Sequence, residues 1–193
     1  MKIENLSFSY FDKAIEKKVF DGLNLNCDSR IICIMGHSGC GKTTLLHILA
    51  GLLKPSSGTV SDFPEKVSVM FQEDRLLPWL NAYENVAIVR STPLVRWNGQ
   101  DDIASEILRS LDIDPAMDIE SMSGGMKRRV ALARALAFDS EALLLDEPFK
   151  GMDEDLVARA AQLVRKQDKI TIVSTHSEAE AKALGAEIVR LNQ

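Results

Sequence analysis

A chain of 193 residues is long enough to bury one substantial core, and the usual size of domains leaves little room for a second. Its net charge of −5 argues against a protein whose main task is holding a nucleic acid, because that affinity depends on cations that neutralise phosphates. We therefore expect a single domain over residues 1–193, with no nucleic-acid partner.

Three features predict a cytoplasmic protein that does not cross a membrane. Cys27, Cys33 and Cys40 are odd in number and clustered, which suits reduced thiols better than a disulfide framework. The longest apolar runs, such as residues 31–35, fall far short of the ~20 residues that span a bilayer. The amino end carries an acid and has no apolar secretory segment.

The first predicted elements are half-exposed strands. Leu6, Phe8 and Tyr10 alternate with serines, and Leu23 and Leu25 alternate with asparagines. A period of two residues is typical of strands with one buried face. We expect these segments to form an antiparallel edge sheet.

The remaining strands are continuously apolar and alternate with helices. Residues 30–35 predict a central strand that Gly36 ends, and residues 42–53 predict a helix stopped by Pro55 and Gly58. Further strands are predicted at 67–71, 142–145 and 170–174, and further helices at 154–166 and 178–184. This alternation favours a mainly parallel sheet that binds ligands at the carboxyl ends of its strands.

The middle of the chain has a different pattern. Residues 81–89, 101–111 and 125–138 are mainly helical, and no convincing strand lies between them. The sequence therefore predicts an α/β fold with a mainly parallel central sheet, an amino-terminal antiparallel β subdomain and an inserted helical subdomain at about residues 73–140.

A phosphate-binding loop is predicted between the first buried strand and its helix. Residues 36–43, GHSGCGKT, match the pattern G-x-x-x-x-G-K-[ST] of P-loop NTPases. The glycines let backbone amides converge on a phosphate, and the helix presents its positive end to it. Lys42 is expected to reach the outer phosphates and Thr43 to ligate Mg²⁺. The predicted nucleotide-binding residues here are Gly36, Ser38, Gly39, Cys40, Gly41, Lys42, Thr43 and Thr44.

Cys40 has two readings. It is either a slightly activated thiol at a helix amino end or an inert residue at a variable position. We hypothesise that its alkylation blocks nucleotide binding.

Two adjacent acids end the predicted strand at 142–145. Asp146 is the expected Mg²⁺ partner, directly or through a water, and Glu147 is the candidate base for the attacking water. Without the phosphate loop, a strand followed by an acidic turn would explain both residues equally well.

Residues 123–136, SGGMKRRVALARAL, resemble the signature of ATP-binding-cassette ATPases. By themselves, Ser123 is an N-cap candidate, and the amides of Gly124 and Gly125 either bind an anion or merely begin a helix. The resemblance to the family covers nearly the whole chain. The motifs also keep the family order: phosphate loop, Gln72, signature, paired acids, Asp153 and His176.

The resemblance implies roles for isolated residues. Gln72 matches the residue that senses Mg²⁺ and water, and His176 the one that contacts the γ-phosphate. Asp153 matches a residue in the loop joining two active sites, although it could simply cap a helix. Tyr10 matches the aromatic residue that stacks on adenine, although it could simply pack on the edge sheet.

Taken together, the resemblance implies an ATPase that uses ATP and Mg²⁺. Its catalytic residues are expected to be Lys42, Gln72, Glu147 and His176. Its metal ligands are expected to be Thr43, Gln72 and Asp146. Ser123, Gly124 and Gly125 are expected to close over the nucleotide bound by a second copy, which makes the active form an ATP-dependent homodimer.

Residues 72–86 resemble the corresponding segment of importers of the nitrate, sulfonate and taurine group. This implies permease partners, an extracytoplasmic solute-binding protein acting indirectly, and a place on the inner face of the cell membrane. Leu76, Leu77 and Trp79 form an apolar cluster that either anchors the permease or is buried in the helical subdomain.

Three alternatives are an exporter ATPase, a non-transport cassette ATPase and a small-molecule phosphotransferase. The phosphotransferase would lack the segment from Ser123 to Gly125. Met122, Met126 and residues 150–152 depart from the family pattern, but none of them replaces a catalytic group.

Overall fold

The structure is a computed structural model that describes residues 1–13, 15–90 and 102–191. Two β-sheets and a set of helices organise these residues. In chain order the elements are β1 (Lys2–Asp12), β2 (Ile15–Asn26), β3 (Ile31–Met35), α1 (Lys42–Leu49), β4 (Ser57–Ser61), β5 (Val67–Met70), α2 (Ala82–Ala87), α3 (Ile103–Ser110), a 3₁₀ turn (Ile119–Ser121), α4 (Gly124–Ala137), β6 (Ala142–Asp146), α5 (Glu154–Arg165), β7 (Ile170–Ser174), α6 (Glu178–Leu184) and β8 (Glu187–Arg190).

The smaller sheet is antiparallel and has the order β2-β1-β4. Leu6, Phe8 and Phe20 are buried on its inner face, which confirms the predicted edge sheet. Strand β4 was not predicted, because Gly58 read as a helix stop. A Cβ at Gly58 would collide with the Asn5 carbonyl, so glycine is what lets β4 lie against β1.

The larger sheet has the order β5-β6-β7-β3-β8, and each neighbouring pair is parallel. This confirms the parallel sheet predicted from the alternation of strands and helices. Every residue of β3 and β6 is buried, as expected for strands covered on both faces. The register pairs Ser174 with both Asp146 and Ile34, so the carboxyl ends of β3, β6 and β7 lie side by side.

The helices between β5 and β6 pack mainly on one another. Asn81 begins α2 with a capping box, in which its side chain accepts from the Glu84 amide at 2.8 Å and Glu84 bonds back to the Asn81 amide. The predicted helix at 101–111 begins at Ile103 in the structure, and residue 101 lies outside the described residues. Helix α1 ends at Leu49 rather than at residue 53, because Gly51 adopts a left-handed conformation just after it.

Two apolar cores lie on opposite faces of the parallel sheet. Leu143 and Leu145 of β6 belong to the core shared with α2–α5, whereas Leu144 faces the core shared with α1 and the antiparallel sheet. Burial in the first core raises the pKa of the Cys33 thiol to about 12, and all three cysteines are buried and unbridged. Within the described part of the chain, every helix is too short or too polar to span a bilayer.

Replacing Leu144 with alanine should lower the free energy of unfolding by about 2–5 kcal/mol, because it removes buried contacts and leaves a cavity. Urea denaturation of the two proteins measures the difference. The control is Leu52→Ala, which truncates a leucine that is 55% exposed and should change stability by no more than about 0.5 kcal/mol. Equal losses in the two variants would contradict the two-sided core.

Candidate functional site

A cavity of about 280 Å³ lies at the carboxyl ends of β3, β6 and β7, between the two sheets. Most of the residues that the sequence predicts for one nucleotide site meet here. Those that line the cavity are Tyr10, Ser38, Gly39, Gly41, Lys42, Thr43, Thr44, Gln72, Asp146, Glu147 and His176.

The loop before α1 forms the floor of the cavity. Gly41 has φ 98° and precedes the helix, and a Cβ there would meet the Phe20 ring at 2.8 Å, so both conformation and space require glycine. The Lys42 ammonium donates to the carbonyls of Gly36 and His37 at 2.9 and 3.0 Å. The loop thereby holds a positive charge at the entrance of α1, where the helix dipole also favours an anion.

The Asp146 carboxylate joins the loop to the sheet. Its Oδ2 accepts from the Thr43 hydroxyl at 2.7 Å, and its Oδ1 accepts from the Ser174 hydroxyl. Asp146 is only 4% exposed, so these bonds compensate for the burial of its charge. Hydroxyl and carboxylate oxygens are the ligands that Mg²⁺ prefers, so the donor set of Thr43 and Asp146 fits that ion.

Glu147 follows with a backbone conformation that is rare for a residue with a side chain, φ 49°. Its amide donates to the Ser174 hydroxyl at 3.0 Å. One carboxylate oxygen lies 3.2 Å from Nε2 of His176 and the other 3.6 Å from Nζ of Lys150. The carboxylate is therefore held at the cavity between two nitrogen-bearing side chains.

Tyr10 packs on the antiparallel sheet and also lies at the cavity. Its ring packs edge-on against Phe8, with centroids 4.9 Å apart, yet it is 42% exposed and lines the cavity. Its hydroxyl lies 3.3 Å from the Thr44 hydroxyl. An exposed aromatic ring beside a phosphate loop can stack on a planar base.

Several predicted residues lie away from this cavity. Ser123 caps α4 by accepting from the Met126 amide at 3.3 Å, and Ser123 and Gly124 are exposed at the start of that helix. Gly125 follows within the first turn and does not line the cavity. One copy of the chain therefore does not bring its signature segment to its own phosphate loop.

Gly36 and Cys40 belong to the phosphate loop but do not line the cavity. The Cys40 side chain is 4% exposed and belongs to the apolar core, so alkylation would first require the loop to open. Asp153 caps α5 by accepting from the Leu156 amide at 2.9 Å, which is the simpler of its two readings.

Sequence reasoning missed Ser174, Lys17 and Val19. Ser174 ends an apolar strand, and a polar residue at that point of a parallel sheet is a usable signal. Lys17 and Val19 line the cavity from β2, and Lys17 pairs with Tyr10 across the sheet. Only the strand register reveals those two residues.

Comparison with known proteins agrees with this geometry. Residues 20–150 match the family described as ABC transporter. The chain belongs to the ABC transporter family. It is an ATP-binding, ATP-hydrolysing cassette, with a parallel sheet and an antiparallel β-sheet of the kind that P-loop NTPases have.

Two relatives and one solved structure show how similar this cassette is to known ones. It is 36% identical to the bicarbonate transport ATP-binding protein CmpD of Synechococcus elongatus, over 98% of this chain and 74% of that protein. It is 39% identical to an aliphatic sulfonates import ATP-binding protein, SsuB 3 of Paraburkholderia xenovorans, over 89% of this chain and 70% of that protein. A dimeric post-hydrolysis structure of the ATP-binding cassette MJ0796, bound to ADP and Pi, superposes with a TM-score of 0.80 at 28% identity, covering 99% of this chain and 94% of that one.

Replacing Lys42 with alanine should cut the ATPase rate of the cassette at least ~10²-fold, because a preorganised charge at the phosphate loop is lost. A steady-state phosphate-release assay measures this rate. Lys54→Ala removes an exposed lysine that follows α1 and should keep the original rate. Similar rates in both variants would contradict the assignment of the loop.

Proposed function

We propose that the cassette works as a homodimer that binds ATP at two composite sites, hydrolyses it, and energises import of a solute through a membrane permease. The observation that carries this proposal is the meeting of Lys42, Thr43, Asp146 and Glu147 at one cavity, while the signature segment of the same copy faces solvent. The cavity supplies one half of a hydrolytic site, and a second copy supplies the other half.

The phosphate loop accounts for nucleotide binding. Amides of residues 39–43 and the Lys42 ammonium hold the β- and γ-phosphates, as the loop pattern requires. Tyr10 stacks on the adenine in this proposal, since its ring is exposed and its hydroxyl lies 3.3 Å from the Thr44 hydroxyl. Lys17 and Val19 extend this wall of the cavity from β2.

Thr43 and Asp146 would hold Mg²⁺, with Gln72 as a third oxygen donor at the cavity wall. When bound, Mg²⁺ neutralises charge on the β- and γ-phosphates. The Thr43 hydroxyl and the Asp146 carboxylate lie 2.7 Å apart, so the fold itself brings these two oxygen donors together.

Glu147 orients the attacking water and accepts its proton, while the water oxygen bonds to the γ-phosphorus and the bond to the ADP oxygen breaks. His176 Nε2 lies 3.2 Å from the Glu147 carboxylate, which supports a role in positioning the base. In this proposal His176 also contacts the γ-phosphate. Both residues follow neighbouring parallel strands, which keeps this arrangement stiff.

The signature segment supports the homodimer. Ser123, Gly124 and Gly125 present the amino end of α4, a 14-residue helix, to solvent. Such an end attracts the phosphates of a nucleotide held by another copy. The solved cassette MJ0796, which the chain resembles, is dimeric with ADP and Pi.

The loop after Gln72 supports a permease partner on the inner face of the membrane. Leu76 packs against the core, but Trp79 is 75% exposed. The buried Asn85 side chain bonds to the Leu77 amide and to the carbonyls of Leu77 and Asn81, so the loop presents Trp79 from a fixed backbone. An exposed tryptophan on a rigid loop is a typical interface anchor.

The cargo that we propose is a small oxyanion, delivered to the permease by an extracytoplasmic solute-binding protein. Support comes from the two relatives described above, whose names specify bicarbonate and aliphatic sulfonates. Both of these solutes are small and negatively charged.

Replacing Glu147 with glutamine should keep ATP binding and stop hydrolysis, because the base is lost while the shape of the side chain is kept. The variant should therefore accumulate as a dimer in ATP and Mg²⁺, seen by size-exclusion chromatography with light scattering. Glu141→Gln neutralises an exposed acid at the start of the same strand and should still hydrolyse ATP. A Glu147→Gln variant that stays monomeric at saturating ATP would overturn the composite-site proposal.

Replacing Trp79 with alanine should reduce capture of the cassette by its membrane permease, since a large apolar anchor is removed. Co-purification from membranes of cells that express both partners measures the loss. Phe11→Ala truncates an aromatic residue that is 73% exposed on β1 and should keep the original yield. Equal yields for Trp79→Ala and Phe11→Ala would contradict the docking role.

A further inference from the structure

Arg128 is a buried cation at the centre of the cassette, outside the nucleotide cavity. It lies on α4, one turn after the Gly124 that begins the helix, and its side chain is only 6% exposed. Burial of a guanidinium is costly unless its N–H groups find acceptors. Its partners therefore show which parts of the structure it holds.

The first set of partners lies in the loop after β5. Nη1 of Arg128 donates to the carbonyls of Phe71 and Gln72 at 2.8 and 2.9 Å, and to the Asp74 carboxylate at 2.9 Å. This is the loop that carries Gln72 to the cavity and Trp79 to the surface.

The second set of partners lies at the end of β6. Nε and Nη2 of Arg128 both donate to the Glu147 carbonyl at 3.2 Å, and Nη2 also donates to the Asp146 carbonyl. The planar guanidinium thus bridges two loops that come from adjacent strands of the parallel sheet.

Arg128 contacts Glu147, a residue whose backbone conformation is unfavourable. Glu147 has φ 49°, a conformation that persists only when its surroundings fix it. Ser174 fixes the peptide group before it, by accepting from the Glu147 amide. Arg128 fixes the peptide group after it, by donating to the Glu147 carbonyl.

We propose that Arg128 is a positioning residue that holds Glu147 in its active backbone conformation and links it to α4 and to the loop of Gln72. This inference rests on the proposed role of Glu147 as the base. A movement of the amino end of α4 at a second copy's nucleotide, or of the loop of Gln72 at the permease, reaches Glu147 through one guanidinium that is bonded to both loops.

Lysine cannot make this connection. Arginine offers five N–H donors in a fixed plane, whereas lysine offers three donors from a single atom. Arg128→Lys therefore keeps the charge and loses the simultaneous bonds to Asp74 and Glu147. It tests the geometry of the link separately from its charge.

Arg134 provides a matched control on the same helix. Its Nη1 and Nη2 donate to the carbonyls of Arg75 and Asp74 at 2.8 and 2.7 Å, so it also holds the loop after β5. Among the described contacts it makes none with Asp146 or Glu147. Arg134→Lys therefore alters the part of the loop at residues 74 and 75, and these bonds involve neither Gln72 nor Glu147.

The experiment compares the purified wild-type chain, Arg128→Lys, Arg134→Lys and Glu147→Gln. Steady-state ATPase assays give kcat and KM, a fluorescent ATP analogue gives Kd, and thermal unfolding gives Tm. We expect kcat of Arg128→Lys to fall at least ~10-fold, because displacement of a catalytic group by a fraction of an ångström is costly. Its Kd, and the kcat of Arg134→Lys, should stay near wild-type values, whereas the Tm of Arg128→Lys should fall because buried acceptors lose their donors.

The outcomes separate this inference from the proposed function. An unchanged kcat in Arg128→Lys, with Glu147→Gln inactive, overturns the role of Arg128 alone. Equal losses of kcat in Arg128→Lys and Arg134→Lys, or a joint loss of kcat and ATP affinity in Arg128→Lys at a temperature where it is folded, also overturn it by indicating a merely structural role. Normal hydrolysis by Glu147→Gln would instead overturn the proposed function.

A second variant covers the case in which Arg128→Lys does not fold. Asp74→Asn keeps the shape of the acceptor and removes its charge, and Asp74 is 25% exposed. We expect a smaller decrease in kcat with unchanged Kd. An unchanged kcat in Asp74→Asn would overturn the link between the two loops.

Discussion

The buried carboxylate of Asp146 is the constraint on which the rest of the site depends. It accepts hydrogen bonds from Thr43 after β3 and from Ser174 at the end of β7, so three neighbouring strands meet at one charged group. A carboxylate that is 4% exposed is tolerated only where such donors are in place. The parallel sheet supplies them because all of its strands end at the same edge.

Buried cations make the surroundings of this carboxylate rigid. Lys42 is held by carbonyls of its own loop, and Arg128 is held by carbonyls from two loops together with Asp74. Breaking the bonds of Arg128 would leave an unpaired polar group in the interior. The catalytic loops are therefore fixed in place, while the groups proposed to meet other molecules, Trp79 and Gly124, are exposed.

The structure also separates alternatives that the residues alone left open. Leu76 packs against the protein's own core whereas Trp79 faces solvent, so the apolar cluster is divided between a buried leucine and an exposed tryptophan. Tyr10 packs on Phe8 and still lines the cavity. Asp153 caps α5, which accounts for its side chain within one copy. These distinctions depend on which face of an element meets the core, and residue type alone does not specify that.

Features with local signals can be predicted from neighbouring residues alone. The loop at 36–43 and the acids at 146–147 are read within a few neighbouring residues, and the alternation of strands with helices predicts the parallel sheet. Three contacts become visible only in the folded chain: β4 pairs with β1, Ser174 bonds to Asp146, and Arg128 bonds to Glu147. Those contacts join residues that are distant along the chain, and they form only once strand order and register are set. Sequence patterns do not predict them, because hydrogen bonds over such separations leave no periodic trace in composition or spacing.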